Sequence, residues 1–252
     1  MRVWDDVRGR EMRRLEGHTD WVVSVAVLPD GRIVSGCWDN MVRVWDAASG
    51  RVLRHLKGHT DAVSSVAALP DGRIVSSSVN NTVRVWDTAS GRELRRFEGH
   101  TAPVRSVAVL PDGRVVSGSS DMTVRVWDAA SGRDPVRPES HEGWVVSVAV
   151  LPDGRIISGS RDKTVRVWDA ASGRELHRLE GHAIYVMAVA ALPDGRIVSG
   201  SGDKTVRVGN AASGRELRCL EGHAQEVTSV TVLPDGRIVS GSWDATVGEN
   251  QR

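Results

Sequence analysis

The sequence is poor in three things. It has 2 cysteines, 1 tyrosine and 1 phenylalanine in 252 residues, and almost no net charge, +1 from 33 Lys+Arg against 32 Asp+Glu. Two cysteines build no disulfide framework; they fit a reducing setting, and an intracellular, cytoplasmic protein is expected. Balanced charge argues against a dedicated nucleic-acid binder, which carries a basic excess. No apolar run is long enough to span a bilayer; Val186 to Leu192 is among the most apolar. Met1 to Asp5 opens in folded-type sequence, so no secretion signal is expected. What is present is ordinary for a folded domain, with 26% charged and 40% hydrophobic residues. A chain this long buries roughly three quarters of its unfolded surface and needs neither disulfide nor metal to fold.

Self-comparison is the most informative reading. His18, His59, His100, His141, His182 and His223 are each 41 residues apart. Leu28-Pro-Asp-Gly-Arg32 recurs unchanged at Leu69, Leu110, Leu151, Leu192 and Leu233. Trp4, Trp45, Trp86, Trp127 and Trp168 keep the same step. Within a period, β-branched runs alternate with turn residues. Trp21 to Leu28, Arg32 to Gly36, Met41 to Trp45 and Arg51 to Leu56 read as four strands, and no segment has helix period. One antiparallel sheet per period cannot bury both faces alone; stacking on its neighbours solves this.

Gly17-His18, Ser35, Asp39 and Val44-Trp45-Asp46, repeated along the whole chain, resemble WD40 repeats. The resemblance implies an all-β fold, a β-propeller with a central channel that serves as a rigid interaction platform. Six four-stranded antiparallel blades are predicted in one domain, 1–252, at about 21–56, 62–97, 103–138, 144–179, 185–220 and 226–250. The chain begins with a third and a fourth strand, Arg2 to Trp4 and Arg10 to Leu15. The sixth blade, whose own third strand Thr246 to Asn250 is damaged, is therefore expected to be closed by residues 1–15. Trp4 is expected to complete it, with the tail after Val247 frayed.

The resemblance also implies a hydrogen-bonded tetrad in each blade. The sets are His18, Ser35, Asp39 and Trp45; His59, Ser76, Asn80 and Trp86; His100, Ser117, Asp121 and Trp127; His141, Ser158, Asp162 and Trp168; and His223, Ser240 and Asp244 with Trp4. The chemistry is sound in its own right: a buried His needs both ring nitrogens satisfied, and a carboxylate and a hydroxyl do this. A Ser-His-Asp catalytic triad is the tempting alternative. Six copies at lattice spacing argue for structure rather than for one reactive site, so no catalytic residue is assigned. Gly200-Ser-Gly-Asp-Lys204-Thr205 only faintly echoes a phosphate loop. Asn80-Asn81-Thr82 is a lone glycosylation sequon. Cys37 and Cys219 have no zinc spacing, so neither metal nor cofactor is expected.

Some copies depart from the pattern. Gly209-Asn210 replaces Trp-Asp in the fifth unit, which should make this blade the loosest. Asn80 replaces Asp in the second and is expected to bond His59 still. Asp134-Pro-Val-Arg-Pro-Glu-Ser140 interrupts a fourth strand, tolerable at an outer edge. The arginines of the other fourth strands, as in Arg92-Glu-Leu-Arg-Arg96, read as charge that blocks edge-to-edge association.

The remaining differences between copies concentrate in two loops that an antiparallel meander places on one face. Three residues after each His stand Trp21, Ala62, Pro103, Trp144, Tyr185 and Glu226. Five after it stand Val23, Ser64, Arg105, Val146, Met187 and Thr228. These two positions share strand parity and are expected to point the same way. Before the turn Asp or Asn stand Trp38, Val79, Ser120, Arg161, Gly202 and Trp243; after it Asn40, Asn81, Met122, Lys163, Lys204 and Ala245. Exposed Trp, Tyr, Arg and Met are the types enriched at binding hot spots. Trp21, Trp38, Arg105, Trp144, Arg161, Tyr185, Met187 and Trp243 are therefore the candidate contacts for a protein or peptide partner. Trp21, Trp38 and Trp243 are expected to meet as one apolar patch. The competing readings are that these Trp only pack, or that the chain is a structural remnant or detached module of a longer array. A monomer is expected, with a swapped dimer as the alternative.

Overall fold

Every period folds as its pattern of β-branched runs and turn residues requires. The computed structural model describes residues 1–5, 8, 10–133, 136 and 140–250. These residues form 24 strands, all pairing antiparallel, with no helix. The chain is all-β, and no helix of the described residues is long and apolar enough to cross a membrane.

In chain order, β1 (Arg2–Asp5) and β2 (Arg10–Arg14) form a two-stranded sheet. β3 (Val22–Val27), β4 (Ile33–Cys37), β5 (Val42–Trp45) and β6 (Val52–Leu56) follow as a four-stranded meander. The next is β7 (Val63–Ala68), β8 (Ile74–Ser78), β9 (Val83–Trp86) and β10 (Glu93–Phe97). Then come β11 (Val104–Val109), β12 (Val115–Ser119) and β13 (Val124–Trp127). β14 (Val145–Val150), β15 (Ile156–Ser160), β16 (Val165–Trp168) and β17 (Glu175–Leu179) form another four-stranded sheet. So do β18 (Val186–Ala191), β19 (Arg196–Ser201), β20 (Val206–Asn210) and β21 (Glu216–Leu220). The last sheet has three strands, β22 (Val227–Val232), β23 (Ile238–Ser242) and β24 (Val247–Asn250). Beside β13, where a fourth strand was expected, Val136 makes an isolated bridge to Val126. The rest of the Pro135 and Pro138 segment lies outside the described residues.

Two units are distinguished, residues 1–107 with 129–132 and residues 108–128 with 133–252. The first holds a core of Leu28, Val44, Leu56, Val63, Val66 and Trp86, built where one sheet packs on the next. The second repeats that arrangement, for example in Leu151, Ile157, Val186 and Val189.

The sheets pack closely because one side of the contact is glycine. A Cβ on Gly36 would stand 2.7 Å from Val63 and 3.0 Å from Val66; Gly118, Gly159 and Gly200 face equivalent valine pairs. The paired valines are three residues apart, which strict alternation forbids. A bulge explains it: the register slips between Val22 and Ser24, Val63 and Ser65, Val145 and Ser147, Val186 and Ala188, and Val227 and Ser229. The bulged residues are Val23, Ser64, Val146, Met187 and Thr228. The shared-parity expectation assumed an unbroken strand, and here the bulge sets the direction of these side chains instead.

In the first four copies the edge bearing Leu-Pro-Asp-Gly-Arg is a clamp. Arg32 pairs with Asp30 and reaches the Thr88 hydroxyl at 3.2 Å. Arg114 donates to the carbonyl of Ala170 at 2.7 Å and Arg155 to that of Ala211 at 2.6 Å. On the fourth strands, Arg54 and Arg95 donate to the carbonyls of Ala89 and Ala130, both at 3.1 Å. These arginines join neighbouring sheets, so they do more than repel foreign edges.

The expectation for the final sheet needs correction. Its third place is taken by Val247–Asn250, with Val239 opposite Glu249 and Gly241 opposite Val247. Arg2–Asp5 pairs instead with Arg10–Arg14. The tail competes successfully because a ladder needs backbone groups only, and Gly248 costs it no hydrogen bond. Trp4 is 54% exposed, with the Arg2 guanidinium 5.8 Å from its ring. It is not a buried tetrad residue like Trp45, Trp86, Trp127 and Trp168. The end strands are also less covered. Val25 of β3 is 57% exposed, whereas its counterparts Val66, Val148 and Val189 are buried.

Candidate functional site

The fixed polar residues make a buried relay. In the sheet of β14 to β17, Trp168 donates its indole N–H to the Ser158 hydroxyl at 2.8 Å. His141 Nε2 lies 2.6 Å from that hydroxyl, and His141 Nδ1 lies 2.7 Å from Asp162. His18 with Ser35, His182 with Ser199 and His223 with Ser240 repeat the contact at 2.6, 2.9 and 2.8 Å. Trp45 and Trp86 donate to Ser35 and Ser76 at 2.7 and 2.8 Å, and Trp127 to Ser117 at 2.8 Å. His100 is buried in the first unit; Ser117 and Asp121 belong to the second.

Burial drives the ring pKa values down. Desolvation and the Arg84 charge push His59 to about 3. Desolvation also lowers His141 and His182, against the pull of Asp162 and Asp203. Burial works against ionising Asp39, yet the Thr19 N–H, Cys37, Arg43 and His18 outweigh it and hold the carboxyl at about 2. The serines are fully or nearly buried and already bonded, which leaves no place for a substrate at their Oγ.

Asn80 meets its neighbours differently from Asp162. Its amide donates to Thr60 at 3.2 Å and its carbonyl accepts from Thr82 at 2.7 Å. Its side chain also acts on His59, raising the ring's pKa against the larger effect of burial, and His59 Nδ1 faces the Thr82 hydroxyl at 3.4 Å.

A fifth fixed residue escaped the tetrad reading. Arg43, Arg84, Arg125 and Arg166, second in each Val-Arg-Val-Trp, are buried. Arg166 pairs with Asp162 at 3.2 Å and with Glu175 at 3.0 Å; Arg84 pairs with Glu93. Where the Glu is replaced by Val52, Arg43 turns to Asp39 at 2.7 Å and His18 at 2.5 Å. Their recurrence in five successive copies, Arg207 included, was the available signal, masked by the habit of placing arginine outside. This cation also disposes of the one metal-like cluster among the described residues, His18 with Cys37 and Asp39. Arg43 already occupies the charge balance there.

These sheets, relays and turns recur with the full period. The WD40 family, described as WD domain, G-beta repeat, matches residues 9–46, 50–87, 91–128, 135–169, 173–208 and 214–248. The chain belongs to the WD40 family. No curated protein matches it. WD40 repeats typically form protein-interaction scaffolds without enzymatic activity of their own. The first WD40 match, residues 9–46, runs from a fourth strand through the next sheet's third strand, across β2 to β5, and 50–87 does the same across β6 to β9.

In this WD40 chain the variable residues meet in pairs. The N–H of the residue before the turn Asp bonds the carbonyl of the residue three after His. Trp38 bonds Trp21 at 3.0 Å, Val79 bonds Ala62 at 2.9 Å and Arg161 bonds Trp144 at 2.9 Å. Gly202 bonds Tyr185 at 3.0 Å and Trp243 bonds Glu226 at 3.2 Å. The residue after the turn Asp or Asn is left-handed in every copy without being glycine: φ is 65° at Asn40, 70° at Met122, 72° at Lys163 and 73° at Lys204.

In the first unit the Trp21 and Trp38 rings stand 4.9 Å apart and are 68% and 47% exposed. Arg105 is half-buried on β11. In the second unit the Arg161 guanidinium lies 4.1 Å from the Trp144 ring and 5.6 Å from that of Tyr185. The Tyr185 hydroxyl donates to Glu226 at 2.8 Å, which raises its pKa. Tyr185 lies flat on Gly202, where a Cβ would stand 2.8 Å from its ring. Met187 is half-buried beside this row, and Trp243 is 69% exposed at its end. Trp243 therefore groups with Glu226 in the second unit.

Proposed function

We propose that the chain is a non-enzymatic scaffold that binds a protein or peptide through the variable edge of its sheets, inside the cell. What carries the reading is the division of labour between the two edges. One edge repeats a single arginine clamp, Arg32, Arg73, Arg114 and Arg155. The other edge presents a different residue pair in each copy, with Trp21, Trp38, Trp144 and Tyr185 among them. Residues that merely packed would be as uniform as the buried indoles. Exposed Trp, Tyr and Arg at such positions are what hot spots are built from.

The test is capture of a partner from native lysate by the wild type and by a Trp21→Ala, Trp144→Ala, Tyr185→Ala variant. The variant should stay folded and lose the partner. A partner held equally well by both proteins would refute the assignment of this edge.

A further inference from the structure

We propose that the second unit's variable edge is a receptor for an acidic segment of its partner, with Arg161 as the carboxylate anchor. This rests on the scaffold reading and adds the chemistry of the ligand.

Arg161 is set up in an unusual way. Its guanidinium is held against Trp144 at 4.1 Å and Tyr185 at 5.6 Å, a side chain from its own repeat and one from the next. Among the described residues it pairs with no carboxylate. The nearby acids are committed elsewhere. Asp162 serves His141 and Arg166, Asp203 serves His182, and Glu226 accepts the Tyr185 hydroxyl while keeping its own negative charge at the end of the row. Ring faces orient the plane of a guanidinium and take none of its N–H donors. What remains is a charged, planar fork with its direction fixed in advance, the geometry that a carboxylate meets with two parallel hydrogen bonds.

The surroundings favour the same ligand. Lys163 and Lys204 are exposed in the turns that carry Asp162 and Asp203. Both are left-handed, at φ 72° and 73°, a conformation that glycine or asparagine adopts at less cost. The sequence keeps the charge and accepts the strain. Glycine appears instead where space is required: Gly202 lets the Tyr185 ring lie down, and Gly143 admits the backbone of Arg161 and Asp162. The row thus offers cations in the turns and partly exposed aromatic surface between them. It fits a peptide in which Asp or Glu alternates with apolar residues. A basic peptide would meet Arg161, Lys163 and Lys204 and be repelled.

The test uses the full chain, immobilised, against a displayed library of random peptides. Enriched sequences are then synthesised and measured in solution against the wild type, Arg161→Gln, and Lys163→Gln with Lys204→Gln. Enrichment of Asp and Glu beside apolar residues is expected. Arg161→Gln should weaken those peptides about tenfold or more, the loss expected of one charge-assisted bond, with an unchanged melting temperature. The lysine pair should lose less, and added salt should erode its share first. Neutral or basic winners would overturn the acidic assignment and leave the scaffold reading standing. So would acidic winners indifferent to Arg161→Gln. No enriched peptide at all, with the folded chain on the surface, would overturn both.

Discussion

The Cδ2 methyl of Leu179 occupies the space in which a side chain on Gly209 would begin. Where Trp86 stands at that place, the equivalent residue is Leu56, which packs in the same cluster as the indole. Leu179 has therefore leaned into a vacancy, and β20 keeps its ladders to β19 and β21. Gly209→Trp should push Leu179 back to the position Leu56 adopts and give Ser199 an indole donor. A gain of about 2–3 kcal/mol is expected, somewhat less than the full value of a buried Trp. Urea titration reads it; a loss of stability would mean that Leu179 cannot yield.

Asn80 suggests a second stabilising change. Asn80→Asp would give His59 the carboxylate that His141 has in Asp162, with Arg84 nearby as the counterpart of Arg166. The expected gain is about 1 kcal/mol. The His59 ring should then titrate at higher pH, which NMR of the imidazole protons would follow.

Acid should weaken the fold early. His59 is neutral when folded down to about pH 3, against 6.5 for an ordinary ring. Between those values the unfolded chain binds a proton that the folded chain refuses, so stability falls as pH drops through the window. The slope for this ring is up to about 1.4 kcal/mol per pH unit. His141 and His182 shift in the same direction. Asp39 and Asp203, held near 2, remove further stability only as pH falls below 3.8. Melting temperatures measured from about pH 7.5 to about pH 5 should decline steadily; a flat profile there would contradict buried neutral rings.

The left-handed turn residues separate stability from binding. Met122→Gly and Lys163→Gly should each stabilise by about 1 kcal/mol, since glycine adopts positive φ without the Cβ penalty. Met122→Gly serves as the control for backbone relief alone. Lys163→Gly should gain the same stability while weakening acidic peptides. Equal behaviour of the two variants in peptide binding would remove Lys163 from the receptor.

Much of this was readable in the sequence, and the failures have physical causes. The period exposed the strands and the turns, because fixed residues at fixed spacing leave few alternatives; the Trp-Ser-His relay was implied by the resemblance to WD40 repeats. The edge with the variable pairs followed from meander geometry. The bulge after Val22, Val63 and Val145 was hidden by an assumption of strict alternation, although the Val-x-x-Val spacing recorded it. Arg43 and its copies were missed because a buried arginine becomes acceptable only once Asp39 or Glu93 is seen beside it. Trp4 misled because a side chain suited to a place does not secure it; the tail claimed the ladder through its backbone. Leu179 filling in for an absent indole was beyond the sequence, since it depends on which rotamer the space allows.

The clamp that joins one sheet to the next has a consequence for how such a chain can grow. Gly36 with Val63 and Val66, and Arg32 with Thr88, are contacts between successive copies and depend on nothing further along. A spliced-in copy would find both of its flanks ready-made. The row of variable pairs can therefore be lengthened, shortened or re-lettered by whole periods, with no new joint to invent.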